Sequence, residues 1–310
     1  MVFLPAERFI VLIIVTLALL DACLLLLKGV GIDVVGYASL IACGAFLLAL
    51  GQFYRRLRHN ERIAVTATAA GLFALFTIVG SIFNYLLLPS HFVQIDGTLM
   101  QIDGMLGYSW SSVVESAARH PLVGLVLYAV YTSSLIQLLG VILILGFSGR
   151  TTSLQHFLLT GVIGALLAIM FWFFLPSIGP SALQHLSSQA LKAMPLAVDP
   201  AYGAELRRVL SEGSTYLTPA NVLGLIAFPS FHMVMACMSV CFLARIRFAF
   251  VSAAVLNALM IPAILVHGGH HLIDLVGGGA TFVIAYTLAR SVLEKTTPAD
   301  VQNSKIRPVD

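Results

Sequence analysis

Two short stretches hold most of the side chains that could do chemistry: Phe228-Pro229-Ser230-Phe231-His232 and His267-Gly268-Gly269-His270-His271-Leu272-Ile273-Asp274. In the second, His270 and Asp274 are four residues apart, which stacks them on one face of a helix starting near His270. A carboxylate bonded to one ring nitrogen fixes the tautomer and leaves the other as an oriented nucleophile or base. Gly268 and Gly269 remove side chains just before this pair, so a ligand or a second backbone can approach closely. A self-satisfied pair that merely caps the helix would have the same spacing. Against it stands the position of Asp274 inside an apolar run, where a buried carboxylate is expensive.

In the first stretch, Pro229 followed by Ser230 reads as a helix start. Ser230 can cap that helix, and first-turn N–H groups make an anion site. His232 falls in the same turn, within reach of a bound phosphate. An ordinary capped span with an interfacial histidine accounts for these residues equally well. His267 and His271 could join a metal site, but no Cys or Glu stands nearby to complete one. Neither a metal nor a cofactor is expected.

The elements that must hold these stretches are membrane spans. The 310 residues are 59% hydrophobic and 10% charged, with a mean hydropathy of +0.97, outside the soluble range. Apolar runs recur at 9–27, 34–54, 64–88, 121–147, 154–176, 231–244, 248–266 and 271–290, most near the roughly 20 residues a bilayer requires. The expected fold is an all-α integral membrane protein with about eight transmembrane helices, or seven if the short sixth run does not cross. The four cysteines all fall inside apolar runs and read as reduced packing residues. A net charge of +3 gives no argument for a nucleic-acid partner.

Lys and Arg set the orientation. With the amino terminus in the cytoplasm, 12 of the 17 fall on the inner side, including the Arg55, Arg56, Arg58 and Arg62 cluster, and five on the outer. Both chemical stretches then lie at the same outer level. So do the two long connections, Pro89–His120 and Pro176–Pro219. In the first connection, Asp96 and Asp103 are seven apart, on one face of any helix there. That helix reads as amphipathic and interfacial, anchored by Trp110; alternatively one Asp faces the site. In the second, Asp199 caps a short helix carrying Arg207 and Arg208.

Phe-Pro-Ser-x-His at 228–232, followed by Gly-Gly-His-x-x-x-Asp at 268–274, resembles the second and third signature motifs of the type 2 phosphatidic acid phosphatase superfamily. More narrowly it is similar to the branch that includes inositol phosphorylceramide synthases, as is the Asp96, Asp103, Trp110 connection. The resemblance covers roughly residues 64–290. It implies a six-helix phosphatase-like core at 63–295, two accessory N-terminal helices within 1–62, and a cytoplasmic tail at 296–310.

It also implies roles. His270 attacks phosphorus and becomes phosphohistidine, Asp274 orients it, and His232 protonates the leaving group. Water or another hydroxyl then resolves the intermediate. Ser230, Phe231, Gly269, His267, Arg207 and Arg208 are the candidate substrate-binding residues. The chain departs from the family pattern at three places. Phe231 stands where many relatives have Gly. Ile264 stands where the third motif usually has Arg. At the end of the fifth run, Phe174-Leu175-Pro176-Ser177-Ile178-Gly179-Pro180 lacks the Lys and Arg-Pro of the first motif.

The expected function is cleavage of a lipid phosphoester, without a metal, at the outer face of a multi-pass cell membrane, which is the periplasmic face in a Gram-negative bacterium. Transfer of a phosphorylated head group to an alcohol is the alternative reading. Non-catalytic lipid binding and proton-coupled transport are two others. Transport fits less well, because only Asp21 lies deep within a span.

Overall fold

The computed structural model describes residues 3–296. Helices follow the apolar runs because a backbone in hydrocarbon must satisfy its own N–H and C=O groups, and a helix does so within one segment. In chain order they are α1 (Pro5–Lys28), α2 (Val34–Phe53, continued by one wide turn over Tyr54–Arg58), α3 (Glu61–Leu86), α4 (Asp96–Met105), α5 (Trp110–Ala118), α6 (Pro121–Thr132), α7 (Ser134–Phe147), α8 (Thr151–Phe174), α9 (Ser188–Ala193), α10 (Pro200–Glu212), α11 (Phe231–Leu243), α12 (Arg247–His267) and α13 (Leu272–Thr296). Among the described residues, α1, α2, α3, α8, α12 and α13 are long and apolar enough to cross a bilayer. The chain is an all-α integral membrane protein.

Local signals place the helix ends. The side chains of Asn60 and Asp199 accept from the backbone N–H groups of Ile63 and Tyr202, capping α3 and α10. Proline opens α1, α6 and α10. Past Thr296, the expected tail lies outside the described residues.

Two expected spans come out differently. The run at 121–147 is divided at Ser133 into α6 and α7, each too short to cross alone. Thr132, Ser133 and Ser134 turn their hydroxyls back onto the carbonyls of Tyr128, Val130 and Tyr131, and such bonds compete with the helix ladder. The run at 231–244 is the 13-residue α11. The apolar residues before Pro229 stay non-helical, since proline drives the residue ahead of it away from the helical region.

α3 is the axis of the bundle. Along its apolar window 67% of residues are buried, against 17% for α1 and α2, which lie outside it and face lipid. Gly44 and Gly71 let the backbones of α2 and α3 approach closely. One end of the bundle gathers the long connections. There Ile95 N–H donates to Pro176 O, Ser90 N–H to Leu210 O and Val198 N–H to His267 O, each at 2.9–3.0 Å. Gly31 and Ile32 pair in parallel with Tyr216 and Leu217 at the same end. The opposite end is fastened by Arg55, which donates to both carboxylate oxygens of Glu7 at 2.8 and 2.9 Å.

The first long connection is not an interfacial strap. Trp110 opens α5 completely buried, packed with Val114, Leu127 and Ile264, so it is core and not an anchor. Asp96 and Asp103 do share a face of α4, but both are buried and face the protein.

Candidate active site

Asp274, in the first turn of α13, accepts from His270 Nδ1 at 3.1 Å and from the His271 backbone N–H at 2.8 Å. It is fully buried, and the ring of His270 is held by the carboxylate four residues on. Gly269 makes the approach possible: its φ of 59° is left-handed backbone that other residues enter at a cost, and a side chain there would strike Ser181. The second ring nitrogen of His270, Nε2, lies 3.3 Å from Ser230 Oγ.

Ser230 is the N-cap of α11 by position, yet its side chain makes no capping bond. The expected cap is replaced by two ties to the other stretch: the hydroxyl meets His270, and the Ser230 N–H donates to Asp274 O at 3.0 Å. Gly277 and Gly278 on α13 admit this contact, since side chains there would strike Phe228 and the Ser230 carbonyl. His232, in the first turn of α11, stacks on Tyr131 of α6 with ring centroids 4.1 Å apart and planes 18° apart.

His270, His232, Tyr131, Phe231 and Gly269 line one cavity of about 470 Å³. Its remaining walls are chiefly apolar side chains of α3, α8 and the 222–227 segment. Among the described residues no Lys or Arg lines it.

His271 takes a different course from its neighbour. Its Nδ1 donates to Asp103 Oδ2 at 2.7 Å, and its Nε2 lies 3.5 Å from Asp96 Oδ1, an ion-pair distance longer than a well-formed hydrogen bond. Asp103 also accepts from Leu272 N–H at 3.0 Å. Asp96 accepts from Ser177 Oγ at 2.8 Å, Ile178 N–H at 3.1 Å and Gly179 N–H at 2.9 Å. Burial alone would lower the pKa of His271, but Asp96, Asp274 and Asp103 outweigh it and hold the pKa above the ordinary histidine value. Burial would likewise raise Asp96, and the hydrogen bonds from His271, Ser177, Ile178 and Gly179 hold it below the usual carboxylate range. The carboxylates around it thus favour the charged form of a buried imidazole.

The loop after α8, where the first motif's cations would stand, thus spends its amide donors on Asp96. Ile264, the other departure, is fully buried in the core. His267 is also fully buried and turned away from the cavity, with Nε2 on Gly124 O at 2.9 Å. Arg207 donates to Ala182 O at 2.6 Å. Arg208 is paired with Glu205 and Glu212 on the exposed face of α10. The structure brings His270, Asp274, His232, Ser230, Phe231 and Gly269 together, and leaves His267, Arg207 and Arg208 off the cavity wall.

Sequence reasoning missed two neighbours of the site. Tyr108 donates to the His270 carbonyl at 3.0 Å, and Tyr131 supports the ring of His232. Each contact joins residues about a hundred or more positions apart, and neither tyrosine stands in a periodic pattern that marks it.

A sequence model of the PAP2 superfamily matches residues 97–288, from α4 into α13. Comparison with curated proteins and with solved structures gives no match.

Proposed function

The chain belongs to the PAP2 superfamily, and on that footing we propose that it cleaves a lipid phosphoester through a phosphohistidine at His270. The observation that carries this reading is the pair of bonds on His270. Its Nδ1 is fixed on Asp274 and its Nε2 is turned to the mouth of α11, where His232 lines the same cavity. Asp274 accepts a hydrogen bond from Nδ1–H, which keeps the proton on that nitrogen and leaves the Nε2 lone pair to attack phosphorus. As the N–P bond forms, the P–O bond to the leaving group breaks, and His232 gives that oxygen a proton. A hydroxyl then attacks the phosphohistidine, passes its proton to His232 and releases the phosphoryl group, restoring both histidines. First-turn N–H groups of α11, which Ser230 does not cap, supply donors for the phosphoryl oxygens.

A second reading is transfer of a phosphorylated head group to an alcohol, as in the inositol phosphorylceramide synthase-like branch. It is favoured by the absence of Lys and Arg from the cavity wall among the described residues, because a singly charged diester needs less positive charge than a monoester dianion. We take the site to face the extracytoplasmic side, periplasmic in a Gram-negative inner membrane, as the Lys and Arg asymmetry supports. We assign residues 1–62 as accessory and 63–295 as the catalytic unit.

The test is purified protein in detergent with a panel of lipid phosphates and phosphodiesters, run with a chelator and without added metal. Free phosphate that disappears in His270→Ala and His232→Ala supports hydrolysis. A new phospholipid formed only with an added alcohol supports transfer. Identical product yields from wild type and His270→Ala would remove the catalytic assignment.

A further inference from the structure

The cavity below the histidines is long and chiefly apolar. On α3 it is lined at Leu72, Phe76, Gly80 and Tyr85, and on α8 at Phe157, Gly161, Ala165 and Ile169. Thirteen positions of α3 at about 1.5 Å each make a depth of about 20 Å, more than half of a hydrocarbon core about 30 Å thick. His270, His232 and Gly269 stand at one end, and Leu72, Phe157, Met238 and Ile10 of α1 at the other. Chiefly apolar side chains line it over that depth, so hydrocarbon taken up there leaves water at little cost.

We propose that this shaft holds hydrocarbon of the substrate inside the protein, with its phosphate at His270, and that the floor formed by Leu72, Phe157, Met238 and Ile10 sets the longest chain accepted. The proposal rests on the phosphoester reading for the placement of the phosphate. The chain site itself rests on the shaft. Gly161 stands in the lower wall beside the floor, where a side chain would come within 3.1 Å of the end of Met238. α1 thereby becomes part of the binding site, since Ile10 helps to close the floor although the family match begins at residue 97.

The experiment uses the full chain in detergent and straight-chain alkyl phosphates from octyl to octadecyl. Turnover is measured for wild type, Gly161→Leu, Ala165→Leu and Ile10→Ala, each first checked for folding by gel filtration and thermal unfolding. The two filling variants should move the preferred length shorter by several carbons, and Ile10→Ala, which lowers the floor, should move it longer. In parallel, His270→Ala protein is titrated with the same alkyl phosphates and its thermal stabilisation read, with Gly161→Leu added on that background. Stabilisation should rise with length to a limit, and the filling change should lower that limit. Superimposed length profiles in all folded variants would overturn the shaft proposal while leaving phosphoester cleavage standing. A length limit in the binding arm with no turnover by wild type would sustain the shaft and sink the cleavage reading.

Discussion

His270 and His271 are adjacent in the chain, are both buried and both bond an aspartate, yet they are built for different ends. His270 has one nitrogen on Asp274, in the first turn of the helix that follows it, and the other at the head of an apolar cavity beside a serine hydroxyl. His271 has Nδ1 bonded to Asp103 and Nε2 facing Asp96 at 3.5 Å, both on α4 and more than 160 residues away in the chain. Catalysis by a histidine requires one nitrogen held and one left for the substrate. A histidine enclosed by carboxylates on both sides is a fastener: it ties α4 to the turn before α13 through Asp103 and faces Asp96, which holds the Ser177–Gly179 loop. Residue type and neighbouring Asp do not separate the two roles. What separates them is where the second nitrogen points.

The sharpest way to break this contrast is to remove each ring in turn. His270→Ala should lower turnover by at least about 10⁴-fold, on the scale of losing a nucleophile, with modest change in thermal unfolding. Asp274→Asn keeps the shape but offers the wrong partner for the Nδ1 proton, and turnover should fall by about 10²–10⁴-fold. His271→Ala leaves two buried carboxylates without their cation, which costs about 3–5 kcal/mol of stability. Its turnover should fall only with the folded fraction, read as activity per folded molecule against unfolding temperature. Should His271→Ala stay as stable as wild type and lose turnover like His270→Ala, the fastener assignment is wrong and both histidines belong to the chemistry.

The legible part of the fold was the part that depends on local pattern. Apolar runs gave the long helices, and i,i+4 spacing gave the His270–Asp274 pair. The seven-residue spacing put Asp96 and Asp103 on one face of α4, but no local rule says whether that face meets water, substrate or His271. Trp110 was misread for the same reason: an aromatic beside a polar helix fits a membrane interface and a buried core equally well until the partners are known. The division of α6 from α7 was legible in principle, since Thr132-Ser133-Ser134 is a run of hydroxyl residues able to compete for helix carbonyls. The turning of Ser230 from its cap toward His270 was not, because it depends on a contact 40 residues away.

The charge on His271 gives a quieter test of the same contrast. Its pKa is raised on folding, so its stabilising contribution is full below the ordinary value of 6.5 and is lost as pH rises through the folded value. Asp96 is lowered, so its contribution is full above 3.8 and is lost as pH falls through its folded value. Together they hold the bridge intact between those two values and weaken it on the alkaline side. Wild type should lose unfolding temperature steadily from neutral into alkaline buffer. His271→Gln, which has no proton to lose there, should start lower and show a flatter slope over the same range. Parallel slopes would mean that the imidazolium is not what the bridge depends on.

The smallest effect is expected at the arginines that looked best placed to clamp a phosphate. Arg208 is about half exposed and already engaged by Glu205 at 2.6 Å and Glu212 at 3.7 Å, one turn to either side on α10. Exposed ion pairs of this kind are worth about 0–1 kcal/mol, because solvent screens the charges and long side chains must be ordered to meet. Arg208→Ala should therefore shift stability by less than about 1 kcal/mol and leave the Michaelis constant for a lipid phosphate within about twofold. Arg207→Ala removes a donor to the Ala182 carbonyl and should behave in the same way. A tenfold rise in the Michaelis constant in either variant, with turnover number unchanged, would show that α10 swings its cations over the cavity when substrate arrives. The phosphate would then be held by charge from a surface helix as well as by the amides of α11, and the contrast between a self-sufficient His270 and a fastened His271 would need α10 as a third, mobile party.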